Sequence, residues 1–305
     1  MSVSHDSAHP SSVALRRYRW IPNPLASRVG RLAAFFCLYV TEGIPLGFTA
    51  TAVATYMRRH GVPADQISVF VGTLYLPWSW KWMIGPVVDV VYSDRLGRRR
   101  GWIVAAQVMM VLTLMASMPI DFSHQLQIFT AIILIHNVFG ATQDVAIDAL
   151  ACNVLEENER GLANGLMFGG AYLGQAIGGS GVLFLVPYTG FKATFFLVAT
   201  CILSVTLLVA LPMLEPRSRQ EGDRAGPVWR AIVLDIRKYV RSAVRAMFGS
   251  RTALCGLGFA LLPAGGYALS LALTTNIAVE IGLSDHQIAT ITLLTTVTSG
   301  VCCVL

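Results

Sequence analysis

Charge is scarce in this sequence. Only 13% of its 305 residues are Asp, Glu, Lys or Arg, and 54% are hydrophobic. A soluble domain carries roughly 25% charged residues, so this chain lacks the polar surface that would keep a globule in water. Cysteine patterning is also missing. Cys37, Cys152, Cys201, Cys255, Cys302 and Cys303 all lie in or beside apolar runs, with no CxxC and no His/Cys cluster, so zinc and disulfide frameworks have no support. HExxH is absent as well. The polar, Ser-rich and basic first thirty residues are not followed by a short apolar stretch with a small-residue cleavage site, as a cleaved signal would require. The net charge of +6 does not point to nucleic acid, because the basic residues fall in short bursts between long apolar runs. Basic bursts at the ends of apolar spans orient a membrane protein.

Long apolar runs are what the sequence does have. About 20 mostly apolar residues are needed to cross the hydrocarbon core as a helix. Spans are expected at 32–57, 66–92, 102–120, 126–153, 161–186, 193–213, 253–279 and 287–305. Nineteen Lys and Arg fall in alternate intervening segments and only three (Arg58, Arg59 and Lys192) in the others. This bias puts the N-terminus in the cytoplasm. The expected organisation is a cytoplasmic tail (1–31), a six-helix bundle (32–213), a basic cytoplasmic linker (214–252) and the first two helices of a second bundle (253–305). Within the linker, Trp229, Ile232, Ile236, Tyr239 and Val240 recur at helical spacing among Arg and Lys, which suits a helix lying in the membrane interface. A transporter of two six-helix halves begins in this way and needs four further spans.

Ionisable groups inside spans are rare and costly, commonly ~2.5–3.5 kcal/mol each on insertion scales. Glu42, Lys81, Asp144 and Asp148 stand out. Counting ~1.5 Å per residue from the flanking charged segments puts Glu42, Lys81 and Asp144 about 16–18 Å deep, one level on three helices. Asp148 lies one turn nearer the cytoplasm. Asn137, Asp144 and Asp148 fall within ~40° around their helix axis, and Tyr39, Glu42, Thr49 and Tyr56 make a comparable stripe on span one. Such stripes face a cavity or other helices. The arrangement suits a central site for solute and protons, in which Lys81 attracts an anionic group and Glu42 or Asp144 exchanges a proton. Burial disfavours the charged carboxylate and a nearby lysine favours it. The competing role is a set of internal ion pairs bracing the bundle. Gln175 is a further solute-contact candidate. His136 is a proton-relay candidate, more readily read as a hydrogen-bonded core histidine. Glycines spaced by four along span five allow close helix crossing, and Pro45, Pro77 and Pro86 should bend their helices.

Two stretches carry a family resemblance. Gly85-Pro-Val-Val-Asp89 followed by Asp94-Arg-Leu-Gly-Arg-Arg-Arg100 resembles the major facilitator signature between helices two and three, with Val-Val-Tyr-Ser inserted. Ala141-Thr-Gln-Asp-Val-Ala-Ile-Asp-Ala149 is similar to a run in the muropeptide permease (AmpG-like) and acetyl-CoA transporter group of that superfamily, as are Glu42-Gly-Ile-Pro-Leu-Gly47, Leu96-Gly-Arg-Arg-Arg-Gly-Trp102 and Glu159-Arg-Gly161. The resemblance implies an all-α helical bundle of the major facilitator type in the bacterial inner membrane, here its six-helix first half and the start of the second. It also implies proton-driven import of a muropeptide-like or other anionic solute by alternating access, with no cofactor and no metal. Asp144 and Asp148 would be motif residues of the solute and proton site, with Glu42 at a matching polar position on span one. Either Asp89 or Asp94 would gate the cytoplasmic side against Arg95, Arg98 and Arg99. The partners implied are solute, protons and lipid. Two other classes are considered: a truncated, non-transporting membrane protein, and an intramembrane enzyme. The latter is disfavoured because two aspartates four apart point the same way, whereas paired catalytic acids converge from opposite sides.

Overall fold

The computed structural model describes residues 22–91, 96–215, 234, 237, 240–242, 244–261, 273–274 and 276–305. The expectations for Asp94, Arg95, residues 1–21 and much of the linker lie outside these. The described residues are overwhelmingly helical, and six helices are long and apolar enough to cross a membrane. These are α1 (Arg28–Arg59), α5 (Arg100–Ser117), α6 (Phe122–Val154), α7 (Glu157–Thr189), α8 (Phe191–Ala210) and α10 (Asp285–Val304). Ser27 caps α1 by accepting from the Gly30 N–H, and Ser284 with Gln287 forms a capping box on α10, so local chemistry marks both starts. Gly190, at φ 77°, reverses the chain between α7 and α8.

The second expected span differs from the reading of 66–92 as one helix. It forms three pieces, α2 (Ala64–Leu74), α3 (Leu76–Ser79) and α4 (Lys81–Val90), with breaks at Tyr75 and Trp80. Pro77 has no N–H to continue the ladder, and Asn137 of α6 donates to the Leu74 carbonyl at 3.1 Å beside the break. Pro86 stays inside α4. In the seventh span, α9 (Arg251–Leu261) is the described portion, together with helical residues at 276–280.

α1 and α7 make the most extensive pairing. A Cβ on Gly43 or Gly47 would run into the backbone of Ala171 and Gln175, and one on Gly170, Gly174 or Gly178 into the carbonyls of Phe36, Val40 and Ile44. The helices therefore touch backbone to backbone, as small-residue stripes permit. α10 runs along α7, with its Val304 end at Gly165 and Gly169 and its His286 ring edge-on to Phe184, centroids 5.1 Å apart.

Buried side chains form two apolar layers. One, towards the end bearing Arg59, contains Phe48, Met57, Phe70, Phe129 and Phe195. The other, towards the arginine-rich end bearing Arg31 and Arg98–Arg100, contains Phe35, Leu38, Val88, Ile147 and Met213. Between them lies a polar layer at residues 39–42 of α1, 107 of α5, 143–144 of α6 and 206 of α8.

Candidate solute and proton site

The break before α4 makes Lys81 the first residue of that helix, opposite the aspartates of α6. Its Nζ donates to Asp144 Oδ2 at 2.9 Å and lies 3.7 Å from Asp148 Oδ2. The Tyr39 hydroxyl, on α1, donates to Asp148 Oδ1 at 2.6 Å and is 3.3 Å from Asp144 Oδ1. Asp144 is buried, with its side chain 4% exposed, whereas Lys81 and Asp148 are 43% and 44% exposed. Glu42, one turn along α1 from Tyr39, lies within electrostatic reach of Asp144, Asp148 and Lys81, with Trp78 beside it. Its Oε2 is buried and has no hydrogen-bond partner among the described residues. Four charged side chains from three sequence-distant helices thus share one site.

The other candidates part company with this cluster. The Asn137 amide serves the helix break at Leu74. Gln175 lies where α7 crosses α1, with its backbone against Gly47. Of the span-one stripe, Thr49 bonds back to the Pro45 carbonyl at 2.8 Å, and Tyr56 stacks on Phe191 with centroids 3.8 Å apart. Buried His136 places Nδ1 2.9 Å from the Met110 carbonyl and ties α6 to α5.

A second buried set abuts the site. Thr206 donates to Gln107 Oε1 at 2.8 Å, Gln107 Nε2 donates to Thr41 Oγ1 at 3.1 Å, and Gln143 Nε2 donates to Thr41 Oγ1 at 3.3 Å and the Leu38 carbonyl at 3.4 Å. Four helices are knotted one residue away from Glu42 and Asp144. Gln107 and Thr206 escaped the sequence reading because an uncharged polar residue in an apolar run is a weak signal. Tyr39 was visible only as part of a stripe.

At the arginine-rich end, Asp89 Oδ1 accepts from Arg99 Nη2 at 2.6 Å, and the Asp89 carbonyl accepts from the Arg98 guanidinium. The structure thus brings Asp89 and these two arginines together. Glu215, not singled out from sequence, accepts from the backbone N–H of Arg99 at 2.8 Å and of Arg100, neutralising the N-terminus of α5. Arg31 pairs with Glu159 at 2.6 Å and Glu156 at 3.2 Å, joining α1 to the start of α7.

Comparison with known proteins agrees with this architecture. An uncharacterized protein of Haemophilus influenzae is 24% identical over 269 residues, covering 88% of this chain and 62% of the relative. The anhydromuropeptide permease of Escherichia coli strain K12 is 25% identical over 253 residues, 82% of this chain and 49% of the permease. Putative transporter AmpG 4 of Rickettsia conorii is 26% identical over 184 residues, 59% and 44% respectively. The chain thus spans about half the length of these relatives. The family model described as Major Facilitator Superfamily matches residues 32–305, nearly all of the membrane-embedded sequence, and the chain belongs to that family of membrane transporters.

Proposed function

We propose that this chain contributes the first-half site of a proton-coupled importer of a muropeptide-like or other anionic organic solute, working by alternating access from a bacterial inner membrane with its N-terminus in the cytoplasm. The observation that carries the reading is the Lys81–Asp144 ion pair, 2.9 Å long, with Asp148 at 3.7 Å and Glu42 alongside. Three acids surround one base. An anionic group of the solute can reach Lys81 only by competing with Asp144 and Asp148, and its arrival adds negative charge to an acid-rich site. Uptake of a proton by one of the acids removes that penalty, so proton and solute each favour the other's binding, and the coupling is reciprocal. The partly exposed Lys81 and Asp148 are the parts of the site a solute can touch, while buried Asp144 holds the lysine in place. Asp89 with Arg98 and Arg99, and Arg31 with Glu159, are the clasps of the cytoplasmic side. Resemblance to an anhydromuropeptide permease supports a sugar–peptide as the first solute to try.

The test is uptake of radiolabelled anhydromuropeptide into vesicles under an imposed pH gradient, acid outside. Asp144→Asn keeps membrane insertion and loses gradient-driven uptake. Uptake unchanged in that variant would remove Asp144 from the mechanism, and uptake by the parent protein that is insensitive to collapse of the gradient would end the proton-coupled reading.

A further inference from the structure

The three acids of the site are not equivalent. Asp144 has the Lys81 ammonium at 2.9 Å, and Asp148 has the Tyr39 hydroxyl at 2.6 Å and the same ammonium at 3.7 Å. Glu42 has no such partner among the described residues, and its Oε2 is buried. An ionised carboxylate offers about four lone-pair positions and no donor of its own. Burying an oxygen of such a group without a protein partner is costly while it is ionised, and a proton removes both the charge and part of the unmet demand.

The ammonium of Lys81 and the hydroxyl of Tyr39, which could serve Glu42, are already engaged by the aspartates. Around it are Tyr39 on its own helix, Asp144 and Asp148 from α6, Lys81 from α4 and Trp78 from α3. At the adjoining turn α7 presents backbone, the Ala171 carbonyl and the Gln175 amide against Gly43. From α5 and α8 come Gln107 and Thr206, engaged through Thr41. The chain beside Glu42 is also deformable. Pro45 cannot donate to the Thr41 carbonyl, and the helix relaxes into a π-helical stretch over Phe48–Val53.

We infer that Glu42 is the residue that carries the transported proton, while Asp144 remains ionised as the fixed partner of Lys81. This rests on the proton-coupled reading above and goes beyond it by dividing the labour among the acids. Glu42 takes one proton from water on the outer side as a carboxylic acid. It returns that proton to cytoplasmic water by way of Asp148, the acid one turn nearer the arginine-rich end and 44% exposed. The hinge at Pro45 supplies the local motion that alternates its access.

Full-length protein in proteoliposomes, with radiolabelled anhydromuropeptide as probe, tests the inference. The parent protein must accumulate the probe under an inward proton gradient; if it does not, the proton-coupled reading fails before Glu42 is in question. Given that behaviour, E42Q should fall to the accumulation seen without a gradient. Exchange of labelled for unlabelled probe at equal pH, which needs no net proton movement, should persist. D144N should lose both. Accumulation by E42Q at the parental level overturns the assignment. Should E42Q lose exchange as well, infrared difference spectra between high and low pH decide. A protonated-carboxyl band that disappears in E42Q and survives in D144N supports Glu42, and a band that survives in E42Q overturns it.

Discussion

Single side chains in this protein are under unusual constraint where several helices bury them together. Thr41 is fully buried and stands between two amides, accepting from Gln107 and Gln143 while donating to the Leu38 carbonyl at 2.6 Å. Thr41→Val keeps the shape, orphans the Gln107 amide and leaves Gln143 only its 3.4 Å bond to the Leu38 carbonyl. An unsatisfied buried donor costs about 1–3 kcal/mol, so the variant should unfold at a clearly lower temperature in detergent. The double variant with Gln107→Leu should lose less than the sum of the singles, because the two residues share a bond. Additive losses in the thermal melts would mean the network does not act as a unit. The same reasoning explains why charge was easier to read than amide. A lysine or aspartate in an apolar run is conspicuous at once, whereas Gln107 and Thr206 become a network only when their helices are brought together.

Helix pairs supply the next scale. α1 and α7 approach so closely that the positions of their glycines decide whether they can pair at all. Gly174→Ala puts a methyl group against the Val40 carbonyl and the backbone of Ile44 and Gly43, atoms that can give way only if the helices separate. Overpacking of this kind costs typically 1–3 kcal/mol or more. At Gly161, in the first turn of the same helix, an added methyl group would meet nothing within 4 Å. Gly161→Ala should therefore be neutral or stabilising by up to ~1 kcal/mol through helix propensity. Thermal stability of the two variants side by side checks the pairing; equal effects would show that the crossing is looser than its geometry implies. The glycine spacing by four was legible in the sequence as a crossing surface. Its partner was not, since any other helix could in principle have supplied the facing backbone.

Over the whole molecule, the two ends of the bundle are held differently. At the arginine-rich end the ion pairs named above join elements of the first six spans. At the other end Arg59 of α1 bonds Asp285 of α10 at 2.9 Å and the Leu283 carbonyl, and Asn276 donates to Ser68 of α2 at 3.3 Å. Ile288 and Ala289 of α10 also enter the apolar layer at that end. Residues 59–68 and 276–289 are therefore fastened together there. Arg59→Asp or Asp285→Arg should loosen that end and raise the labelling rate of a cysteine placed at Ser68, and the double charge reversal should restore protection. The ion pair is partly exposed, so its own contribution is only ~0–1 kcal/mol and the shift should be severalfold rather than complete. A labelling rate unaffected by either single reversal would show that the apolar contacts alone close this end.

Composition and periodicity by themselves determined that the chain is a membrane bundle and where most spans lie, and they predict one depth for Glu42, Lys81 and Asp144. These follow from the hydrocarbon thickness and the fixed rise of a helix, both local and one-dimensional. Membership of the superfamily was legible in the Ala141–Ala149 run and the arginine-rich loop. Tertiary structure decided the rest. It broke the second span into three so that Lys81 opens a helix, and it set Asn137 against that break rather than in the site. It gave Lys81 to Asp144 and Asp148 and, among the described residues, left Glu42 without a cation in hydrogen-bonding contact. Depth can be counted along a chain, but which side chain meets which depends on the rotation and crossing of helices far apart in sequence, and that is settled only by packing.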